Sequence, residues 1–213
     1  GLTLQLTNYA RLTGMVIHPT QTQHLVVSSR AGIYRTTDGG ANWTITQGGS
    51  FQSLTSTPGA PHLLYAGTES NGKVWFSRNF GQNWTVLTGA SGLPANGPAR
   101  CEVATTAADT NYVYALFGAN NSGLYGVYRS TNKGVTWSQM HGSTPNLLDW
   151  STTGSGAGGQ AWYDLAIAVS PLNKEELLIG GVNVWRSNNG GANFALSGHW
   201  YGGGGASFVH ADQ

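Results

Sequence analysis

The stretch that decides the fold reads YRTTDGGANW, residues 34–43. The same pattern returns three times, as WFSRNFGQNW at 75–84, YRSTNKGVTW at 128–137 and WRSNNGGANF at 185–194. Its slots are aromatic, any, Ser/Thr, any, Asp/Asn, any, Gly, any, Asn/Thr and Trp/Phe. Repetition at intervals of about 40 to 60 residues is typical of folds built from one supersecondary unit used several times.

Each slot of this ten-residue repeat has a chemical role that predicts a hairpin turn. The hydroxyl and the Asp or Asn side chain can accept hydrogen bonds from N–H groups of the turn. The glycine suits a position where φ must be positive. The closing aromatic begins the next strand and covers the hairpin. We therefore expect one turn from Thr36, Asp38, Gly40 and Trp43, and three more from Ser77, Asn79, Gly81, Trp84, Ser130, Asn132, Gly134, Trp137, Ser187, Asn189, Gly191 and Phe194.

The segments between the repeats alternate apolar and polar residues with period two, which predicts strands. Each repeat, together with the segments around it, supplies four strands, and no stretch carries a sustained helical period. The predicted four-stranded units span 12–47, 51–89, 99–141 and 162–198, with partial units at 1–8 and 206–213. We expect almost no helix.

The repeat resembles the Asp-box, or bacterial neuraminidase repeat, although Asp38 is the single true Asp in its slot. In known families that repeat joins the third and fourth strands of a β-propeller blade. The resemblance implies an all-β propeller of four-stranded antiparallel blades. Because the chain begins and ends within a unit, we expect an incomplete part of a larger propeller and a longer polypeptide around it. A small ring closed by pairing the two termini is the alternative.

A second resemblance lies in the final third of the chain, in the segments 158–171, 180–187 and 209–213. These segments are similar to Asp-box propellers of large secreted proteins of Bacteroidota, which the type IX system typically exports. The resemblance implies an extracellular or cell-surface location. A more distant similarity connects the chain to sortilin-type propellers and to the propellers of family 74 glycoside hydrolases.

The composition excludes several classes of function. The 213 residues include 32 glycines, only 9% are charged, and the net charge is +1. Ten Lys and Arg residues spread over the chain do not form the basic stripe of a nucleic-acid binder. No apolar run approaches the roughly 18 residues of a membrane span. The single Cys101 cannot form an intrachain disulfide, and we expect it to be a small buried hydrophobe. No cofactor or metal site is expected.

Enzymatic activity would need carboxylates in a suitable arrangement. A sialidase needs three arginines, but Arg35, Arg129 and Arg186 occupy one repeat slot and the usual Arg-Ile-Pro motif is missing. Glycoside hydrolysis needs two carboxylates flanking the scissile bond. The weak candidates are Asp164 and Asp212, next to predicted innermost strands, where each could equally cap a loop. The family 74 resemblance would place a catalytic Asp near residues 28–32, which contain none.

Aromatic residues outside the repeat are the more suggestive binding candidates. They lie in or beside Gly/Ser-rich insertions at 142–161 and 197–205, where rings can stack on sugars, contact a partner or anchor the loops. The candidate ligand-binding residues are Trp150, Trp162, Tyr163, Trp200, Tyr201 and His210. His210 and Asp212 share one face of a predicted strand, where they could bind a ligand or simply hydrogen-bond.

The sequence thus supports three hypotheses about function. The first is a secreted or surface binding or adhesion module without catalytic activity, whose partner is a protein or a glycan. The alternative is part of a glycoside hydrolase, family 74-like or sialidase-like, with its cleft over the propeller channel. The third is a structural spacer, which buried Trp150 and Trp200 would favour.

Overall fold

The computed structural model describes residues 11–210, and almost all of its regular structure is β-strand. The first sheet contains β1 (Leu12–Ile17), β2 (Leu25–Ser29), β3 (Gly32–Thr36) and β4 (Thr44–Gly48). The second contains β5 (Phe51–Thr57), β6 (Ala60–Thr68), β7 (Val74–Ser77) and β8 (Thr85–Leu87). Two short 3₁₀ turns, Gly89–Ser91 and Gly203–Gly205, are the helical elements of the described residues.

The third and fourth sheets repeat the arrangement. The third contains β9 (Pro98–Thr105), β10 (Val113–Ala119), β11 (Leu124–Ser130) and β12 (Ser138–His141). The fourth contains β13 (Ala166–Val169), β14 (Leu177–Gly180), β15 (Val184–Ser187) and β16 (Ala195–His199). Each sheet follows chain order, and its first four strands pair antiparallel with their neighbours.

The sheets pack face to face, with a separate apolar cluster between each successive pair. Val26, Ile33 and Phe51 belong to the cluster between the first two sheets. Tyr65 and Phe117 belong to the next cluster, and the last contains residues such as Leu116 and Ile179. The first strands of the four sheets (β1, β5, β9 and β13) lie side by side. The four sheets therefore form an open fan whose inner edge consists of these strands.

The inner edge leaves little room for side chains. A Cβ atom at Gly67 on β6 would collide with the main-chain carbonyl of Cys101 on β9. Cys101 is fully buried, and burial raises the pKa of its thiol. The cysteine is the small buried hydrophobe that the sequence predicts.

All four repeats form the same turn between the third and fourth strands of a sheet. In every copy the Ser or Thr hydroxyl donates to the Asp or Asn Oδ1, at 2.7 to 3.0 Å. The same hydroxyl accepts the repeat glycine's N–H at 2.9 to 3.1 Å. The Oδ1 also accepts the N–H of the residue four positions later, at 2.8 to 2.9 Å. The predicted hairpin is thus present four times with matching hydrogen bonds.

The glycine slot requires a left-handed backbone conformation. Gly134, for example, has φ of 78°, and its three equivalents also have positive φ. The closing Trp137 donates its Nε1–H to the Gly134 carbonyl at 3.0 Å, which closes the turn. Trp84 instead donates across to Thr46 Oγ1 of the preceding sheet at 3.2 Å. The closing aromatic therefore closes its own turn in two copies, Trp43 and Trp137, and bonds the preceding sheet in a third, Trp84.

The structure differs from the expected strands in two places near the end of the chain. The predicted strand from Tyr163 begins only at Ala166, because Tyr163 and Asp164 donate N–H bonds to Gln160 in a tight turn. The segment Ser207–Phe208 forms β17, which pairs parallel with β16 at the outer side of the fourth sheet. The predicted partial unit at 1–8 lies outside the described residues.

The shared turn hydroxyl predicts a measurable loss of stability in Ser130→Ala. Ser130 is buried, and its hydroxyl donates to Asn132 Oδ1 and accepts the N–H groups of Asn132 and Gly134. Leaving these partners unsatisfied costs about 1–3 kcal/mol of unfolding free energy. Urea denaturation measures it. The exposed Ser138→Ala on β12 is the control and should leave the midpoint unchanged. Equal effects of the two variants would contradict the role of the turn.

Asp38 gives this turn a pH dependence that the three Asn copies lack. Hydrogen bonds from the Asn42 N–H, the Thr36 hydroxyl and the Asn42 side chain lower the pKa of Asp38 from 3.8 to about 2. A lowered folded-state pKa stabilises the fold above the unfolded value, and this contribution disappears as pH falls through about 2. We expect Asp38→Asn to be less stable than wild type at pH 7, and the difference to vanish between pH 4 and pH 2. Urea midpoints across this range test it, and Asn189→Asp should acquire the same dependence.

Candidate binding surface at the loop edge

The repeated turns and the insertions lie at opposite edges of the sheets. Among the first four strands of each sheet the chain reverses direction from one strand to the next. The first-to-second and third-to-fourth links therefore lie at one edge, and the second-to-third link and the exit to the next sheet lie at the other. We call the edge with the repeats the turn edge and the other the loop edge. An ion pair between Arg30 and Glu69 joins two successive sheets at the loop edge, and Ser50 donates to Glu69 at 2.7 Å. Both insertions leave their sheets at this edge.

The first insertion is held in place by a buried asparagine. Asn146 Oδ1 accepts the N–H groups of Leu124 and Leu148, at 2.8 and 3.2 Å. Its Nδ2 donates to the carbonyls of Gly156 and Gly158, at 2.9 and 2.8 Å. One side chain therefore satisfies four backbone groups and ties both arms of the insertion to β11.

Asp149 closes the same insertion on itself. Its carboxylate accepts the Ser151 N–H at 3.0 Å, the Ser151 hydroxyl at 2.6 Å and the Gly156 N–H at 2.6 Å. Burial acts to raise the pKa of Asp149, but these hydrogen bonds outweigh it and hold the pKa below its usual value. Asp149 is therefore an ionised structural residue.

Asn183 and His199 join the two insertions. Asn183 Nδ2 donates to the carbonyls of Asp149 and Ser151, at 2.9 and 3.2 Å, and its Oδ1 accepts the Trp200 N–H at 3.3 Å. His199 Nδ1 lies near the N–H groups of Tyr201 and Gly203, so it acts as an acceptor. Its Nε2 then carries the proton and donates to the Trp150 carbonyl at 3.2 Å. Both anchors are fully buried.

Five aromatic side chains at the loop edge are exposed to solvent. Their exposure runs from 37% for Trp200 to 69% for Trp162, with Trp150, Tyr163 and Tyr201 between. Trp150 and Trp200 meet edge to face with ring centroids 5.9 Å apart. Trp200 meets Tyr201 at 4.9 Å. Trp150, Trp200 and Tyr201 therefore form an exposed cluster of rings, which does not favour the spacer hypothesis.

Trp162 and Tyr163 form a second pair, fixed from below by an arginine. Arg100 Nη1 donates to the carbonyls of Ala161, Trp162 and Tyr163 at 3.3, 2.9 and 3.1 Å. The two rings lie 5.4 Å apart. Arg100 is buried at the start of β9. A cavity of about 270 Å³ beside it is lined by Glu69, Asn120 and Trp162, among others.

The inner strands border a groove of about 420 Å³ with a carboxyl on its wall. Its lining residues include Thr13, Ser53, Glu102, Thr105 and Ile167. Burial raises the pKa of Glu102 to about 7, against the opposing effects of Arg100 and Ser53. Arg100 Nη2 lies 3.4 Å from Glu102 Oε1. Burial and the neighbouring arginine therefore act on the pKa of this carboxyl in opposite directions.

The structure describes only one member of the carboxylate pair predicted from the sequence. Asp164 lies two residues before β13 and is buried at 2% exposure. Asp212 lies outside the described residues, so the separation of the two carboxyls stays a prediction. His210 is exposed at the end of the described chain. Within residues 11–210, no three His, Cys, Asp or Glu side chains come together as metal ligands, and no helix is long and apolar enough to cross a membrane.

Sequence reasoning missed the residues that shape this surface. Asn146, Asn183 and His199 belong to no repeat and follow no recognisable motif. Arg100 offered a weak signal, because it is one of few arginines outside the repeat slot. Glu102, two residues later on the same strand, offered a similarly weak signal, because it is one of only nine acidic residues in the chain.

The comparison with solved structures decides the fold. An ancestral GH74 enzyme matches with a TM-score of 0.64 and 19% identity, covering 89% of this chain and 24% of the enzyme. A GH74 xyloglucanase from Xanthomonas campestris matches with a TM-score of 0.60 and 18% identity, over 86% of this chain and 29% of the enzyme. The chain is part of a β-propeller. Its four sheets are blades of four antiparallel strands, to which β17 adds a parallel strand in the fourth, and within residues 11–210 they do not close into a ring.

Other comparisons limit what can be concluded from this structural likeness. A chain of the COPII outer coat vertex on membranes matches with a TM-score of 0.58 and 12% identity, over 89% of this chain and 51% of its own. This chain spans only about a quarter of the length of the two GH74 enzymes. No family model and no curated protein sequence matches it. At these identities the likeness shows the fold alone.

Loss of the Asn183 side chain should loosen both insertions together. Asn183→Ala removes three hydrogen bonds from a fully buried site and leaves two carbonyls and one N–H unsatisfied. We expect a loss of about 2–3 kcal/mol in unfolding free energy and faster proteolysis within 149–159. Urea denaturation and limited proteolysis measure these effects. The exposed Asn188→Ala in the fourth repeat is the control, and equal proteolysis of both variants would contradict the anchoring role.

Proposed function

We propose that this propeller segment is a non-catalytic glycan-binding module of a secreted or cell-surface protein. The observation that carries the proposal is the group of exposed rings at the loop edge, Trp150, Trp162, Tyr163, Trp200 and Tyr201. Aromatic faces stack on the C–H surfaces of sugar rings, and buried polar anchors hold these rings in place before a ligand arrives.

Charge supports a neutral or weakly charged glycan over a highly charged partner. The chain has a net charge of +1 and few charged residues. Arg30 and Glu69, the charged pair near Trp162, neutralise each other in an ion pair. A protein partner would use the same exposed rings, and the binding experiment separates the two outcomes.

The extracellular location is part of the same proposal. It is supported by the low charge and by the resemblance of the four repeats to the Asp-box. The four turns share one hydrogen-bond pattern, which favours a common origin for the repeats. The resemblance of residues 145–213 to type IX-secreted propellers of Bacteroidota supports the same location.

The ring group predicts a selective loss of binding in Trp162→Ala. The purified chain is screened on a glycan array and on xyloglucan, cellulose and chitin oligosaccharides, and hits are measured by calorimetry. Removing an exposed stacking ring should weaken the best hit about tenfold, or about 1.4 kcal/mol. Leu172→Ala, at an even more exposed apolar residue in the β13–β14 turn on the turn edge, should bind like wild type. Binding to no glycan would contradict the proposal and leave a protein partner.

A second candidate function is supported by Glu102. It is a carboxyl in the groove of the inner strands, with its pKa raised by burial to about 7. A glycoside hydrolase needs an acid that is still protonated near neutral pH and a second carboxylate across the bond. Asp164 and Asp212 are the candidates for that second carboxylate, and the likeness to GH74 propellers supports the architecture.

Hydrolysis assays separate this candidate from binding alone. If the segment belongs to a hydrolase, xyloglucan or another bound glycan is cleaved, and the rate falls as pH rises through about 7 because Glu102 loses its proton. Glu102→Gln would then abolish cleavage and preserve binding. Binding without any release of reducing ends would exclude hydrolysis by this chain.

A further inference from the structure

A third cavity lies away from the inner strands, on the outer flank of the third blade. Its volume is about 710 Å³, and we call it the side pocket. Its walls are β11, β12, the β10–β11 turn and two parts of the first insertion, residues 142–144 and 154–157. The volume falls within the range of about 300–1,000 Å³ that small-molecule sites occupy.

The walls of the side pocket are fixed by hydrogen bonds. The Asn146 N–H donates to the Gly154 carbonyl at 2.8 Å, and the Asn146 side chain holds Gly156 and Leu124. Asn121 Nδ2 donates to the Ala157 carbonyl from the opposite side. The shape of the cavity therefore does not depend on a bound ligand.

Several polar side chains line these walls, namely Tyr128, Gln139, Ser143 and Thr144. Gln139, Ser143 and Thr144 are exposed, whereas Tyr128 is 7% exposed. Their hydroxyl and amide groups can both donate hydrogen bonds to a ligand and accept them from it.

The chemistry of the lining selects by charge. None of the lining residues carries a carboxylate, an ammonium or a guanidinium group. Burial, and then the neighbouring Tyr125, raise the pKa of the Tyr128 hydroxyl, so it stays neutral at physiological pH. Entry of a charged ligand would cost desolvation energy with no opposite charge to offset it. The half-buried ring of Tyr125 adds an apolar surface to the hydroxyl and amide groups.

We infer that the side pocket binds a neutral sugar residue through the Gln139 amide, the Thr144 hydroxyl and the Tyr128 hydroxyl. A pyranose presents several hydroxyls that both donate and accept, together with C–H faces, and so matches this lining. The inference rests on the proposed function, because the insertion that carries Trp150 also forms a wall of the pocket. A glycan chain held at the loop edge could then place one of its residues or branches in the side pocket.

Calorimetry on the purified chain tests the inference with defined probes. The neutral probes are cellotetraose, chitotetraose and a xyloglucan heptasaccharide, and the acidic probe is tetragalacturonate. We expect the best neutral probe to bind at least about tenfold more tightly than the acidic one, a difference of about 1.4 kcal/mol. Gln139→Ala should weaken it about five- to tenfold, as expected for one neutral hydrogen bond. The exposed Gln21→Ala, in the β1–β2 turn, is the matched control and should bind like wild type.

A blocking variant keeps the test independent of single hydrogen bonds. Ser143 is exposed, so Ser143→Trp should fold normally and fill the side pocket. We expect it to reduce binding of the neutral probe at least about thirtyfold, or about 2 kcal/mol. Wild-type binding by both variants, with loss of binding in Trp162→Ala, would overturn the side pocket and leave the proposed function standing. Equal affinity for tetragalacturonate would overturn neutral-sugar selectivity, and no binding of any glycan would overturn both.

Discussion

The whole architecture depends on one small hydrogen-bonded unit. In each blade a Ser or Thr hydroxyl donates to an Asp or Asn side chain and accepts the N–H of a left-handed glycine. This unit reverses the chain within a few residues and fixes the register of the outer strand. Because the same unit is used four times, every blade returns the chain to the inner edge in the same direction. Each sheet can then pack on the next through its own apolar cluster.

In this arrangement the structural turns and the exposed aromatic residues lie at opposite edges of the blades. The turn edge is occupied by the repeats, whose side chains are engaged in their own hydrogen bonds. The loop edge receives the links between blades, and the two insertions that leave their sheets there carry exposed rings. Insertions there change the surface without disturbing the stacked strands. A propeller blade is therefore a scaffold on which ligand contacts can vary while the fold stays constant.

The repeats made the fold predictable, and the lack of any comparable pattern made the site only partly predictable. The repeat slots that contain Asp38 and Gly134 predicted both the turn and its backbone conformation, because the hydrogen bonds of the turn join residues that are close in sequence. The exposed rings were also predicted, since Trp150 and Trp200 fall outside the repeat. Their anchors were not, because Asn183 and Arg100 bind backbone groups far away in sequence. The protonation of Glu102 depends on burial by neighbouring blades, which no sequence spacing encodes.

The bridge made by Asn183 has a thermodynamic consequence. The Asn183 side chain donates to two carbonyls of one insertion and accepts an N–H of the other. The two loops therefore become ordered together during folding. The conformational entropy of the rings around Trp150 and Trp200 is thus lost when the protein folds and not when a ligand binds. Preorganised surfaces of this kind can reach useful affinity with modest contact area.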